Sequence, residues 1–171
     1  SSEFFGALGR LRYAAAGLGQ LDGLRIRTPS FGGVTIGAFG GFVPDPRSGL
    51  PDFETQRFGL ELQYRDFTAE WRPQISLVAH GSLFHGTIDE RRLNAQLAFF
   101  PGQFRFGGAV ELSLHDDPNP WNVGVVEVSN ANVDASIRVD DFDIGVRLDM
   151  RRPERSLWLA SVLPRSWLCT P

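Results

Sequence analysis

The stretch Phe67-Thr68-Ala69-Glu70-Trp71-Arg72-Pro73-Gln74-Ile75-Ser76-Leu77-Val78-Ala79-His80 sorts its residues by parity. Odd positions carry Phe67, Ala69, Trp71, Pro73, Ile75, Leu77 and Ala79. Even positions carry Thr68, Glu70, Arg72, Gln74, Ser76, Val78 and His80. One side is apolar throughout; the other is polar except for Val78. A period of two is the signature of a β-strand whose faces meet different environments. Pro73 has no N–H, so within that strand it costs a ladder bond or marks a bulge.

The design recurs on either side. Phe104, Phe106, Gly108, Val110, Leu112 and Leu114 alternate with Arg105, Gly107, Ala109, Glu111, Ser113 and His115. Phe142, Ile144, Val146, Leu148 and Met150 alternate with Asp143, Gly145, Arg147, Asp149 and Arg151. The segments arriving at these turns do the same. Phe58, Leu60, Leu62 and Tyr64 oppose Arg57, Gly59, Glu61 and Gln63. Leu93, Ala95, Leu97 and Phe99 oppose Asn94, Gln96, Ala98 and Phe100. Val133, Ala135, Ile137 and Val139 oppose Asn132, Asp134, Ser136 and Arg138. Earlier, Leu24 and Ile26 alternate with Arg25 and Arg27. Val34 to Val43 is Gly-rich and breaks parity with Phe31, which a bulge at Gly32-Gly33 would explain. Part of a further strand is expected around Leu8 to Tyr13.

Four aromatic residues pace this pattern. Phe31, Phe67, Phe104 and Phe142 follow one another at intervals of 36, 37 and 38 residues, each just after a turn signal. Those signals are Thr28-Pro29-Ser30, Arg65-Asp66, Pro101-Gly102-Gln103 and Asp140-Asp141. Connections at this end are short. At the other end longer ones are expected over Pro44 to Glu54, Gly81 to Glu90 and Asp116 to Asn122, with another from 152 to 171. They carry Phe53, Phe84, Trp121 and Trp158, candidates for a second aromatic ring. The fold class expected is all-β: an antiparallel up-and-down meander of about eight strands forming one domain over 1–171.

Alternation alone does not say which face is inside. A soluble sandwich or barrel turns its apolar face inward; a transmembrane barrel inverts the same pattern. The position of the aromatics tilts the choice. A soluble core places its rings mid-strand, where burial is deepest, whereas these rings mark strand ends. No stretch approaches the ~20 apolar residues of a membrane helix, but a barrel strand needs only ~9–11 residues, half of which can be polar.

Composition removes several function classes. All 17 positive side chains are Arg, set against 20 acidic ones, for a net charge of −3. They are scattered along the chain, with only Arg91-Arg92 and Arg151-Arg152 adjacent, so a nucleic-acid partner is not expected. His80-Gly81-Ser82-Leu83-Phe84-His85-Gly86 places Ser between two His, but G-x-S-x-G is not matched because Gly81 directly precedes Ser82. No catalytic residue is assigned. His80, His85 and His115 with Asp89, Asp116 or Asp117 lie on separate segments, so no metal ligands are assigned and no cofactor is expected. Gly37 to Gly41 is followed by no helix and makes no phosphate loop. The single cysteine, Cys169, leaves the redox compartment open. Ser1 to Gly9 is no signal peptide, and Trp167 to Pro171 does not end as a strand. The chain therefore reads as an internal piece of something longer.

The alternating segments from Leu24 to Met150, with turns at Arg65-Asp66, Pro101-Gly102 and Asp140-Asp141, resemble Gram-negative outer-membrane β-barrels of the porin-like type. The likeness is one of architecture, since such barrels share alternation and aromatic girdles more than motifs. It implies an antiparallel meander in the bacterial outer membrane and passive diffusion or a structural role. It makes outer-membrane lipid the expected partner, with small polar solutes passing through. On that reading the lumen-lining candidates are Arg57, Glu61, Glu70, Arg72, Arg105, Glu111, Arg138, Arg147 and Asp149. Phe31, Phe67, Phe104 and Phe142 would form the girdle. The alternatives are a soluble β-barrel or sandwich holding an apolar ligand, and an outer-membrane lipid hydrolase.

Overall fold

A computed structural model describes residues 4–13, 19–45, 47–114 and 126–151. Trp121, Trp158, Cys169, His115 and the loop expected over 152–171 lie outside the described residues. The described chain is all-β and contains nine strands: β1 (Phe5–Tyr13), β2 (Gly19–Arg27), β3 (Val34–Pro44), β4 (Pro51–Arg65), β5 (Gln74–Phe84), β6 (Thr87–Phe99), β7 (Phe104–Leu114), β8 (Val126–Val139) and β9 (Phe142–Arg151). They form a single antiparallel sheet in chain order, an uninterrupted meander. The ninth strand beyond the expected eight is β1, which runs its full length against β2 from Phe5↔Arg27 to Tyr13↔Gly19.

Parity decides how the sheet is dressed. The residues expected to share the apolar side of β4, β6, β7, β8 and β9 do share one face. Along β7 and β8 the ladder shifts between Glu111 and Leu112, where Ser129 is the extra residue. That bulge accounts for the change of parity near Ser129 to Ala131. Arg105, Gly107, Ala109, Glu111 and Ser113 thereby keep company with Asp134 and Asn132.

The two faces differ in burial in the sense opposite to a soluble sheet. Leu60 is 64% exposed, whereas Glu61 beside it is 3% exposed. Phe58, Leu62, Ile75, Leu77, Leu97, Phe106, Val133 and Leu148 are likewise exposed, and Gln63, His80, Ser82, Asn94, Glu111 and Ser113 are buried. Among the described residues only Leu21, Phe39 and Val78 are buried hydrophobics. The polar face is thus the inner one, and the apolar face is turned outward.

Three connections differ from expectation. Phe67 to Pro73 is a turn, and β5 begins only at Gln74. Asp66 organises it: its Oδ1 accepts hydrogen bonds from the backbone N–H of Thr68 (2.8 Å) and of Ala69 (3.1 Å). Arg72 adopts a positive φ of 40°, and Pro73 offers no N–H to a ladder. Local side-chain capping outcompetes the alternation written in the same residues. Next, Gly81 to Glu90 is no loop. β5 and β6 meet at the two-residue turn His85-Gly86, whose φ values of 50° and 77° belong to the twisted hairpin turns. Finally, Gly32 and Gly33 form the tight β2–β3 turn rather than a strand bulge, closed by the Phe31↔Val34 bridge.

Within the described residues β1 pairs only with β2, and β9 only with β8. Because the strand count is odd, these two edges run in the same direction. Joining them would create a parallel seam; all-antiparallel closure requires an odd number of additional strands.

Candidate functional site on the inner face

The inner face is built in rows, one residue from each strand. Arg27, Gly37 and Glu61 are neighbours in register across β2, β3 and β4. Gly37 matters here for its missing side chain, since a Cβ would meet the Glu61 carboxylate. Over that gap the Glu61 carboxylate reaches β2. Arg25 donates from Nη2 to Oε2 at 2.8 Å, and Arg27 donates from Nε to Oε1. The two guanidiniums therefore share one buried carboxylate.

A second network crosses the middle of the sheet. Arg57 of β4 reaches over β5 to Glu90 of β6, at 3.0 Å. Glu90 also accepts from Arg92 at 3.0 Å, and Arg92 donates to Glu111 of β7 at 2.8 Å. Ser129 of β8 closes the line by donating to Glu111 at 2.9 Å. Cations and carboxylates alternate along it, so each charge has an opposite neighbour. That arrangement limits the desolvation penalty of holding ions in an enclosed place.

Between the charged groups lie buried polar atoms without protein partners. His80 is 6% exposed and Ser82 1% exposed, and neither His80 nitrogen nor the Ser82 Oγ has a hydrogen-bond partner. The same holds for Ser76 Oγ, Asn94 Oδ1 and Asn130 Oδ1. All five side chains belong to the inner face. Since His80 and Ser82 do not bond to each other, they form no base–nucleophile pair in this arrangement. His85 stands apart in the β5–β6 turn, at 3.4 Å from Glu54. No cluster of three metal-ligating side chains occurs among the described residues.

The expected lumen residues separate into three groups. Arg57, Glu61 and Glu111 sit in the enclosed networks. Arg105, Arg138, Arg147 and Asp149 lie on the same face but are exposed toward the β9 edge, in the pairs Arg105–Asp134 (3.8 Å), Arg138–Asp143 (2.9 Å) and Arg147–Asp149 (2.9 Å). Glu70 and Arg72 are a correction. Both are exposed in the Asp66-capped turn, because β5 starts after Pro73, and neither is on the inner face of a strand. The expectation missed Glu90, read as the end of a loop, and Arg92, which fell between that loop and the strand from Leu93. The tendency of His85-Gly86 to form a two-residue turn was the available signal. The proposed girdle residues Phe31, Phe67, Phe104 and Phe142 are all exposed, and all lie at the same end of the sheet. At the other end Phe42 and Phe53 meet edge to face at 4.9 Å.

Comparison with protein-family models, curated proteins and solved structures finds no match to the chain.

Proposed function

We propose that this chain forms the wall, or part of the wall, of a porin-like β-barrel in the bacterial outer membrane. Its apolar face meets lipid, and its charged face lines a hydrated lumen through which small polar solutes diffuse. The observation that carries this reading is the inverted burial: Leu60 outside, Glu61 inside. In water, an exposed apolar sheet of this extent would be an aggregation surface. In a bilayer it is the surface the solvent demands. From Phe142 to Met150 the outer face of β9 is free of charge; nine residues at about 3.4 Å span roughly 27 Å before tilt, close to the apolar band of such barrels.

A soluble barrel around an apolar ligand would need the reverse distribution, with more than Leu21, Phe39 and Val78 inside.

Refolding into lipid vesicles tests the proposal. The expected result is insertion with heat-modifiable electrophoretic mobility and a stepwise conductance in planar bilayers. A protein that stays folded and monodisperse in detergent-free buffer, and does not enter vesicles, overturns it.

A further inference from the structure

One row of the inner face differs in kind from its neighbours. Thr35, Gln63, Ser76, Gln96, Ala109 and Asn132 follow one another in register across β3 to β8. Adjacent strands lie ~4.8 Å apart, so these residues make a regular uncharged band, with a hydrogen-bonding side chain at every position but Ala109. On one side runs the row of Glu61, Asn94 and Glu111. On the other side the row narrows to Ala98 and Gly107 between Gln74 and Asp134. A cleft of about 340 Å³ lies over these two rows, with the Asp134 carboxylate standing over Gly107. That is within the range of roughly 300–1,000 Å³ typical of small-molecule sites. Ser76 Oγ, in the wall of this cleft, is buried and has no partner.

We propose that this cleft binds a small, uncharged, hydroxyl-rich solute of the carbohydrate type. The inference rests on the inner face being a hydrated lumen. A hydroxyl both donates and accepts, and so does a carboxamide, which offers an N–H and a carbonyl at fixed spacing. Gln63, Gln74, Gln96 and Asn132 supply four such groups around one space, and Ser76 adds a hydroxyl. The charged residues of the lining do not form an ion site. Arg105 faces Asp134 at 3.8 Å, so its charge is opposed, and Arg65 is exposed to solvent. An anion would find better partners among guanidiniums than in a row of amides. Ala98 and Ala109 keep the floor of the cleft low, while the Asp134 carboxylate covers Gly107.

The test is equilibrium binding of maltose and of gluconate to the folded protein in detergent micelles, read by titration calorimetry. Weak binding of maltose is expected, with a Kd of about 1 mM, or about 4 kcal/mol by the standard conversion. Gluconate is expected to bind at least fivefold more weakly. Gln96→Leu and Gln63→Leu should each weaken maltose binding at least fivefold. Gln96→Asn keeps the amide on a shorter arm and should lose less, which guards against a variant that merely misfolds. Absence of maltose binding by the folded protein overturns the inference, as does unchanged affinity in Gln96→Leu. Tighter binding of gluconate than of maltose also overturns it, in favour of an anion site. Conductance in planar bilayers is scored separately. A channel that conducts without binding maltose loses this inference and keeps the pore; binding by a protein that never inserts loses the pore instead.

Discussion

Leu60 and Glu61 are consecutive in β4 yet one is exposed and the other enclosed. Leu60 stands out from the sheet with Ala38 and Ala79 as its ladder neighbours, and Glu61 is enclosed beneath two guanidiniums from β2. A soluble sheet would be written with the same alternation and folded the other way round. What separates the two cases is how the inner side chains satisfy one another. Arg25, Arg27 and Glu61 pair across a strand, with Gly37 left bare beneath them. Arg57, Glu90, Arg92 and Glu111 form one line of alternating sign. A polar face meant for bulk water has no need of such closed pairing, because water screens and solvates each ion separately.

The sharpest way to break the comparison is to put a charge on the outer face. Leu60→Arg should cost about 3 kcal/mol of folding stability in lipid vesicles, within the range of roughly 2–4 kcal/mol for Arg near the midplane of a barrel. Gln96→Arg, on the inner face, should cost less than about 1 kcal/mol. In a soluble protein the order reverses, since an exposed Leu tolerates Arg within about 0.5 kcal/mol. Urea titration of both variants in vesicles decides the point. Equal tolerance would remove the membrane assignment.

The next largest effect is expected inside. Glu61→Ala leaves Arg25 and Arg27 sharing no carboxylate at that position. In a dry interior, removing one partner of a buried ion pair costs about 3–5 kcal/mol. With lumen water available the cost should fall to about 2 kcal/mol, and the variant should still insert. A loss at the dry value, or failure to fold, would argue for a plugged interior. Gly37→Val should reproduce much of the Glu61→Ala effect without touching a charge, because its side chain would occupy the space of the Glu61 carboxylate. Stability of the wild-type order in Gly37→Val would show that the cross-strand pairing carries little energy.

Much of this architecture was legible as alternation. The strands from β4 onward carry it in β-favouring residues, and each face keeps its sign over many positions. The turn 66–73 was not legible, because the alternation continues through it. Only the combination of Asp66 with Thr68, the positive φ at Arg72 and the missing N–H of Pro73 diverts the chain, and the first two act through geometry that no periodicity records. The interior was legible as a set of charges and not as a network. Arg57 and Glu90 are separated by a whole strand, and the Ser82/Leu83 irregularity resets parity between β5 and β6. The neutral row with Gln63, Ser76, Gln96 and Asn132 depends on register between six strands. Each residue reads as ordinary strand polarity until those registers align them.

The smallest expected effect lies outside both faces, at the Asp66 turn. Hydrogen bonds from the Thr68 hydroxyl and from the backbone of Thr68 and Ala69 hold the Asp66 carboxyl below its ordinary value of 3.8. A carboxyl whose pKa is depressed by folding stabilises the folded state most fully above its unfolded value. That contribution fades as pH falls through the lower folded value. The wild type should therefore show a small downward step in thermal stability at the acid end, and Asp66→Asn should flatten it. The carboxamide still accepts through one oxygen but carries no proton to titrate. The same turn holds Phe67 and Trp71 at the outer boundary, and Trp71 accepts a backbone bond from Phe100 at 2.8 Å. Trp71 emission in vesicles can be followed alongside the melting curve after the other Trp residues are replaced by Phe. A red shift through the acid step in wild type, absent in Asp66→Asn, would tie the capped turn to the aromatic edge of the apolar face. Identical pH profiles in the two proteins would show that the Asp66 carboxyl contributes no pH-linked stability to the turn.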